Sequence, residues 1–86
     1  MSAADSTVID KATQESFGLR LEDMYHSATA MHDLCFDLTE YVKIEQQHLL
    51  RAIRDMAKAQ ARDLEEIAGK LTGDPTGYFE SHFSKY

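Results

Sequence analysis

The chain has one cysteine and one proline among its 86 residues, and its four glycines stand near the ends: Gly18, then Gly69, Gly73 and Gly77. With Cys35 alone, no disulfide closes within one chain, a zinc-ribbon scaffold is excluded, and only a bridge between two copies is left. Cys35 falls on an apolar helical face, where its thiol is expected to act as a small buried hydrophobe. No window approaches the roughly 18 apolar residues that span a bilayer. The opening MSAADSTVID lacks both the cationic patch and the apolar stretch of an exported protein, so a cytoplasmic location and no membrane partner are expected. Basic charge is scarce as well. Nine Lys and Arg against fifteen Asp and Glu leave a net charge of −6, which argues against a general binder of nucleic-acid backbones.

The usual carriers of chemistry are also missing. A chain of this length, 43% hydrophobic, forms one small domain without room for a spacious enclosed active site. No segment alternates apolar and polar residues as a strand would. The glycines near the end lack the Lys-Ser/Thr that closes a phosphate-binding loop, and His26, His32, His48 and His82 have no zinc-motif spacing. The serines stand in the termini or on helical surfaces, so no nucleophile, base and orienting group assemble. The expectation is a protein that is not an enzyme and carries no cofactor.

What is present is helix-forming sequence. Between Leu19 and Ala68 there is neither glycine nor proline, and Leu, Met, Ala, Glu, Gln, Lys and Arg dominate, the residues that lose least on entering a helix. An apolar stripe runs through Leu21, Met24, Ala28, Met31, Cys35, Leu38 and Val42 in alternating steps of three and four, as in a heptad seam. It resumes after Gln46 through Leu49, Ile53, Met56, Gln60, Leu64, Ile67 and Leu71, with a mean step close to the helical turn of about 3.6 residues. Because an intervening loop would normally scramble this phase, the pattern favours one continuous helix over about 19–71. The competing arrangement is a helical hairpin broken near 37–47, where Asp37-Leu-Thr-Glu40 has the spacing of a capping box. Short terminal helices are expected on both sides. One covers Ser6 to Phe17 and stops at Gly18, and the other starts with Asp74 as N-cap and Pro75 in its first turn. The corresponding divisions are an N-terminal arm over 1–18, a central helical region over 19–73 and an aromatic C-terminal helix or tail over 74–86.

Neither central arrangement buries its stripe alone, so the all-α chain is expected to self-associate as a homodimeric coiled coil or four-helix bundle. The residues expected to make that contact are Leu21, Met24, Met31, Leu38, Val42, Leu49, Ile53, Met56 and Leu64. The expected function is a non-catalytic protein–protein interaction module, an adaptor, chaperone-like factor or inhibitor of a larger machine, with an unidentified protein partner. Phe79, Phe83 and Tyr86, on one face of the last helix, are expected to dock that partner, with Tyr25 and Phe36 as a second exposed aromatic patch.

Two other readings rest on local patterns. Glu45-Gln-Gln-His48 sets a carboxylate and an imidazole one turn apart, the half-motif of dimetal-carboxylate bundles, with Glu22 or Glu40 as further ligands from a paired hairpin. The helical wheel turns His48 toward solvent, however, whereas such ligands point into a core. The acidic stripe of Glu22, Asp33, Asp37 and Glu40 suggests an inhibitor that mimics nucleic acid. Arg51, Arg54, Lys58 and Arg62 line the corresponding face of the second half, so the two ends of a continuous helix would carry opposite potentials. Arg51/Asp55, Arg62/Glu66 and Glu66/Lys70 are i,i+4 partners expected to neutralise part of that charge.

Overall fold

The computed structural model describes residues 10–73 and 76–86, and these are helical, with no strand. Helix α1 spans Lys11–Leu38, α2 spans Ile44–Thr72 and α3 spans Tyr78–Phe83, with a single 3-10 turn, Thr39–Tyr41, between the two long helices. Helix α1 starts at Asp10, whose carboxylate accepts from the Thr13 amide at 2.7 Å and satisfies one of the orphan donors of the first turn. It then runs straight through Gly18. The expected stop there does not occur, because the missing Cβ lies against α2, where an added one would meet Thr72 Cγ2 at 3.6 Å. Of the expected N-terminal helix, Ser6 to Ile9 lie outside the described residues, as do Asp74 and Pro75, and the last helix begins at Tyr78.

The continuous central helix is overturned: the chain turns back after Leu38 and α2 packs antiparallel on α1. No glycine or proline makes this turn. The Thr39 hydroxyl donates to the Cys35 carbonyl at 2.7 Å, closing the end of α1, and Val42 and Lys43 take extended backbone (φ −121° and −68°, ψ 165° and 157°). Helix α2 restarts as the Gln46 and Gln47 amides both donate to the Lys43 carbonyl, and Gln47 Nε2 reaches back to the Val42 carbonyl. Asp37 and Glu40 form no capping box, since Asp37 is still inside α1 and Glu40 is in the 3-10 turn.

The helix pair packs through a heptad seam, displaced from the expected stripe by one residue at every second position on α1 and at Leu49, Ile53, Met56, Gln60 and Ile67 on α2. On α1 the inward positions are Gln14, Gly18, Leu21, Tyr25, Ala28, His32, Cys35 and Thr39. On α2 they are Gln47, Leu50, Arg54, Ala57, Ala61, Leu64, Ala68 and Leu71. Both sets alternate steps of three and four, as a left-handed helix pair requires. Where the stripe predicted Met24 and Met31 the seam takes Tyr25 and His32, and Met24 and Met31 stay 50% and 51% exposed. Seven of these sixteen positions are small (Gly, Ala, Cys or Thr), and Ala61 is completely buried.

Helix α3 explains the rotation. Gly73 (φ +75°) ends α2 in the left-handed conformation, donating to the Gly69 carbonyl, and Gly77 (φ +74°) turns the chain back along the hairpin. Glu65 receives the returning segment: its Oε2 accepts from the Phe79 amide at 2.6 Å and the Thr76 hydroxyl at 3.0 Å. Phe83 then joins Tyr25, Ala28, Ala61 and Leu64 in one core, with Leu21 and Phe79 packed against it. A core shared by three helices turns α1 and α2 toward the third, leaving their opposite side bare.

Candidate functional site

The bare side of the hairpin is the feature most in need of a function. Met24 and Met31 of α1 line one shallow groove together with Asp23, Ser27 and Ala28 of the same helix and Gln60 of α2, which places these positions on a common face with Asp23 as the charge at its margin. At 100° per residue, Leu38 and the edge residue Leu34 share that side of α1, while Leu49, Ile53 and Met56 share it on α2, with Ile67 nearer the open end. Leu49 is 63% and Met56 70% exposed, although both are large apolar side chains. Between Met24 and the turn, the other positions on this face are Ser27, Val42, Gln46 and Gln60, so it carries no charge there.

The structure distributes the expected self-association residues unevenly. Met24, Met31, Leu38, Leu49 and Met56 are exposed on the bare face, and Val42 and Ile53 are half-buried beside it. Leu21 and Leu64 belong to the chain's own core, Leu64 being buried against Tyr25, Ala28 and Phe83, so they are not available to a second copy. Ile44 is exposed too and carries no signal in the sequence, while Leu34 and Tyr41, which flank the first half of the stripe, and Ile67, which lies within its second half, are exposed without having been among the expected contact residues.

The expected docking aromatics are gathered into one cluster rather than held out. Tyr25 and Phe83 are buried, and Phe79 is half-buried. Tyr25 therefore cannot form an exposed patch. Its ring fills the space between the long helices and α3, the lowest free-energy place for a large side chain in so small a core. Phe36 and Tyr86 keep outer faces and meet each other edge-on at 4.9 Å, and His32 meets Phe83 and Tyr86 at 4.7 and 4.8 Å. Lys58 Nζ sits 5.5 Å above the Phe83 ring.

Asp33 ties this cluster together. Its carboxylate is 2.8 Å from His32 Nδ1, 3.1 Å from His82 Nε2 and accepts from the Tyr86 hydroxyl at 2.8 Å, joining α1 to the C-terminal segment. Partial burial pushes the Asp33 carboxyl up, but the bonds from His32, Tyr86 and His82 outweigh it and hold the group below its ordinary value. The same bond, with a smaller contribution from burial, raises the Tyr86 phenol above its ordinary value. Burial, reinforced by the Glu65 and Asp33 charges, raises the Tyr25 phenol.

The remaining candidates are dispersed. Glu45 and His48 are both exposed in the first turns of α2, and no group of three His, Cys, Asp or Glu that could hold a metal occurs among the described residues. Cys35 is a buried free thiol in the seam, out of reach of a second copy. The opposite charges fall along the two edges of the α3 side rather than at two ends, because the hairpin sets α1 beside α2; the expected end-to-end polarity is corrected accordingly. Among the expected i,i+4 partners Glu66 and Lys70 meet at 3.1 Å, while Arg54 turns to Asp55 and Arg62 to Asp63. Among the described residues no helix is long and apolar enough to cross a membrane. Compared with known proteins, the chain matches no family model, no curated protein and no solved structure.

Proposed function

We propose that this chain is a non-catalytic protein–protein interaction module that acts as a homodimer, two hairpins meeting through the bare apolar faces to form a four-helix bundle. The observation that carries the reading is the apolar face opposite α3, with Met24, Met31, Leu38, Leu49 and Met56 exposed along it and Asp23 at its margin. At about 100 Å² for each half-exposed side chain, these residues and Leu34 present roughly 600 Å². That reaches the upper end of the largest patches on monomers and approaches the area per partner of a standard interface. A second copy is the occupant that fits. A two-fold interface needs the same self-complementary patch on both subunits, and a face uncharged from Met24 to the turn, with Asp23 at its margin, lets two chains of net charge −6 meet with few like charges in contact.

Sedimentation across a dilution series tests this. The wild-type chain should sediment as a dimer at about 10 micromolar, a modest affinity for an interface of this size. Met24→Glu with Met56→Glu should give a monomer of unchanged helicity. A wild type that remains monomeric well above that concentration, or a doubly charged variant that still dimerises, would remove the homodimer from the account.

A further inference from the structure

On the α3 side of the hairpin, toward its open end, the helices leave a cleft of about 400 Å³. Leu21, Leu64, Ala68 and the rings of Tyr25 and Tyr78 line it, a volume and a lining in the range of small-molecule sites. Its charged groups are all of one sign. Glu15, Glu22 and Glu65 line it, and no Lys, Arg or His among the described residues does. Glu65 is clamped, because Oε2 takes both the Phe79 amide and the Thr76 hydroxyl. Tyr25 is 5% exposed and its hydroxyl, sealed from water, has no hydrogen-bond partner. The Tyr25 and Tyr78 rings stand 6.3 Å apart at 39°, so the cleft also offers aromatic surface to a cation.

We propose that this cleft binds a small organic ammonium ion carrying an apolar tail. The tail covers the leucine, alanine and tyrosine surface, and the ammonium compensates the half-buried Glu65, with Glu22, exposed and 3.6 Å from His26 Nε2, at the rim. Each alternative ligand leaves part of the lining unmatched. A fatty carboxylate meets three like charges, a neutral alcohol leaves the carboxylates without a counter-charge, and a small inorganic cation leaves the apolar surface wet. The cleft lies on the side opposite the dimer face, so this inference goes beyond the homodimer and stands or falls separately.

Isothermal titration of the full chain at pH 7 and low salt, with n-octylammonium, 1-octanol and octanoate as probes, tests it. Octylammonium should bind once per chain, at least ten-fold tighter than octanoate and several-fold tighter than octanol. Glu22→Gln and Glu65→Gln should each weaken it several-fold. Ala68→Phe, which fills the cleft from α2, should abolish binding, with Gly18→Leu as a second filling variant from α1 and circular dichroism as the check on folding. The monomeric Met24→Glu/Met56→Glu variant should bind octylammonium as the wild type does. The site is overturned if octanoate or octanol matches octylammonium, if no probe binds, if a folded filling variant binds normally, or if binding disappears in the monomer.

Discussion

At the scale of single residues, Asp33 is where pH meets stability. Its folded-state carboxyl is held below the ordinary value, so the stabilisation is fully present above the unfolded-state value near 3.9 and is lost as pH falls through the folded one. Asp33→Asn should cost about 1–2 kcal/mol at pH 7 through the weakened bonds to His32, His82 and Tyr86. In thermal melts the gap between wild type and variant should narrow steadily below pH 4; a gap constant down to pH 2 would mean that the carboxylate's charge contributes nothing. The phenol of Tyr86 carries the opposite sign. Raised by the same bond, it stabilises below its unfolded value and is lost as pH climbs through the folded one. Ultraviolet titration should show two late-ionising tyrosines, Tyr25 and Tyr86, one of which is lost in Tyr86→Phe. In the helix seam Ala61 has no exposed surface, so Ala61→Leu should overpack it by about 1–3 kcal/mol, read as a lowered melting temperature.

At the scale of elements, the two long helices depend on each other and α3 depends on both. A helix the size of α3 has no stability of its own in water, so its order comes from Phe83, Phe79 and the Glu65 clamp. Phe83→Ala should cost about 3–5 kcal/mol by emptying the shared core. The predicted signature is a collapse of the near-ultraviolet tyrosine signal with far-ultraviolet helicity mostly kept, since α1 and α2 still meet through their small-residue seam. An equal loss of both signals would show that the hairpin does not stand without α3. The turn between α1 and α2 was legible only as a region. Its candidate capping box, Asp37 to Glu40, is unused, and the break falls at Thr39 to Lys43, where the β-branched Val42 and its neighbour Lys43 take extended backbone and a threonine hydroxyl closes the helix end. Helix propensity is nearly flat across these residues. What tips the balance is the burial gained when α2 folds back, a long-range term that no local window contains.

At the scale of the whole molecule, the division of apolar residues between an inner seam and an outer face organises both proposals. The amino-acid pattern by itself determined that the chain is all-helical and that its apolar residues, Met24, Met31, Leu49 and Met56 among them, recur with the helical turn. These follow from backbone bonding four residues apart and from side-chain periodicity, both of which are local. Only the tertiary structure decided the rest. Two heptad seams, one through Met24 and Met31 and the other through Tyr25 and His32, have the same period, share Leu21, Ala28 and Cys35, and have centres only about 50° apart on α1, so periodicity cannot choose between them. Helix α3 chose, because its aromatic side chains and the Asp33 carboxylate draw Tyr25 and His32 inward. That placed the small residues between the helices, left the methionines and leucines outside, and opened the acidic, tyrosine-lined cleft at the hairpin's open end. The physical reason is that helix formation is settled by neighbours in the chain, whereas the face a helix buries is settled by which distant segment covers it.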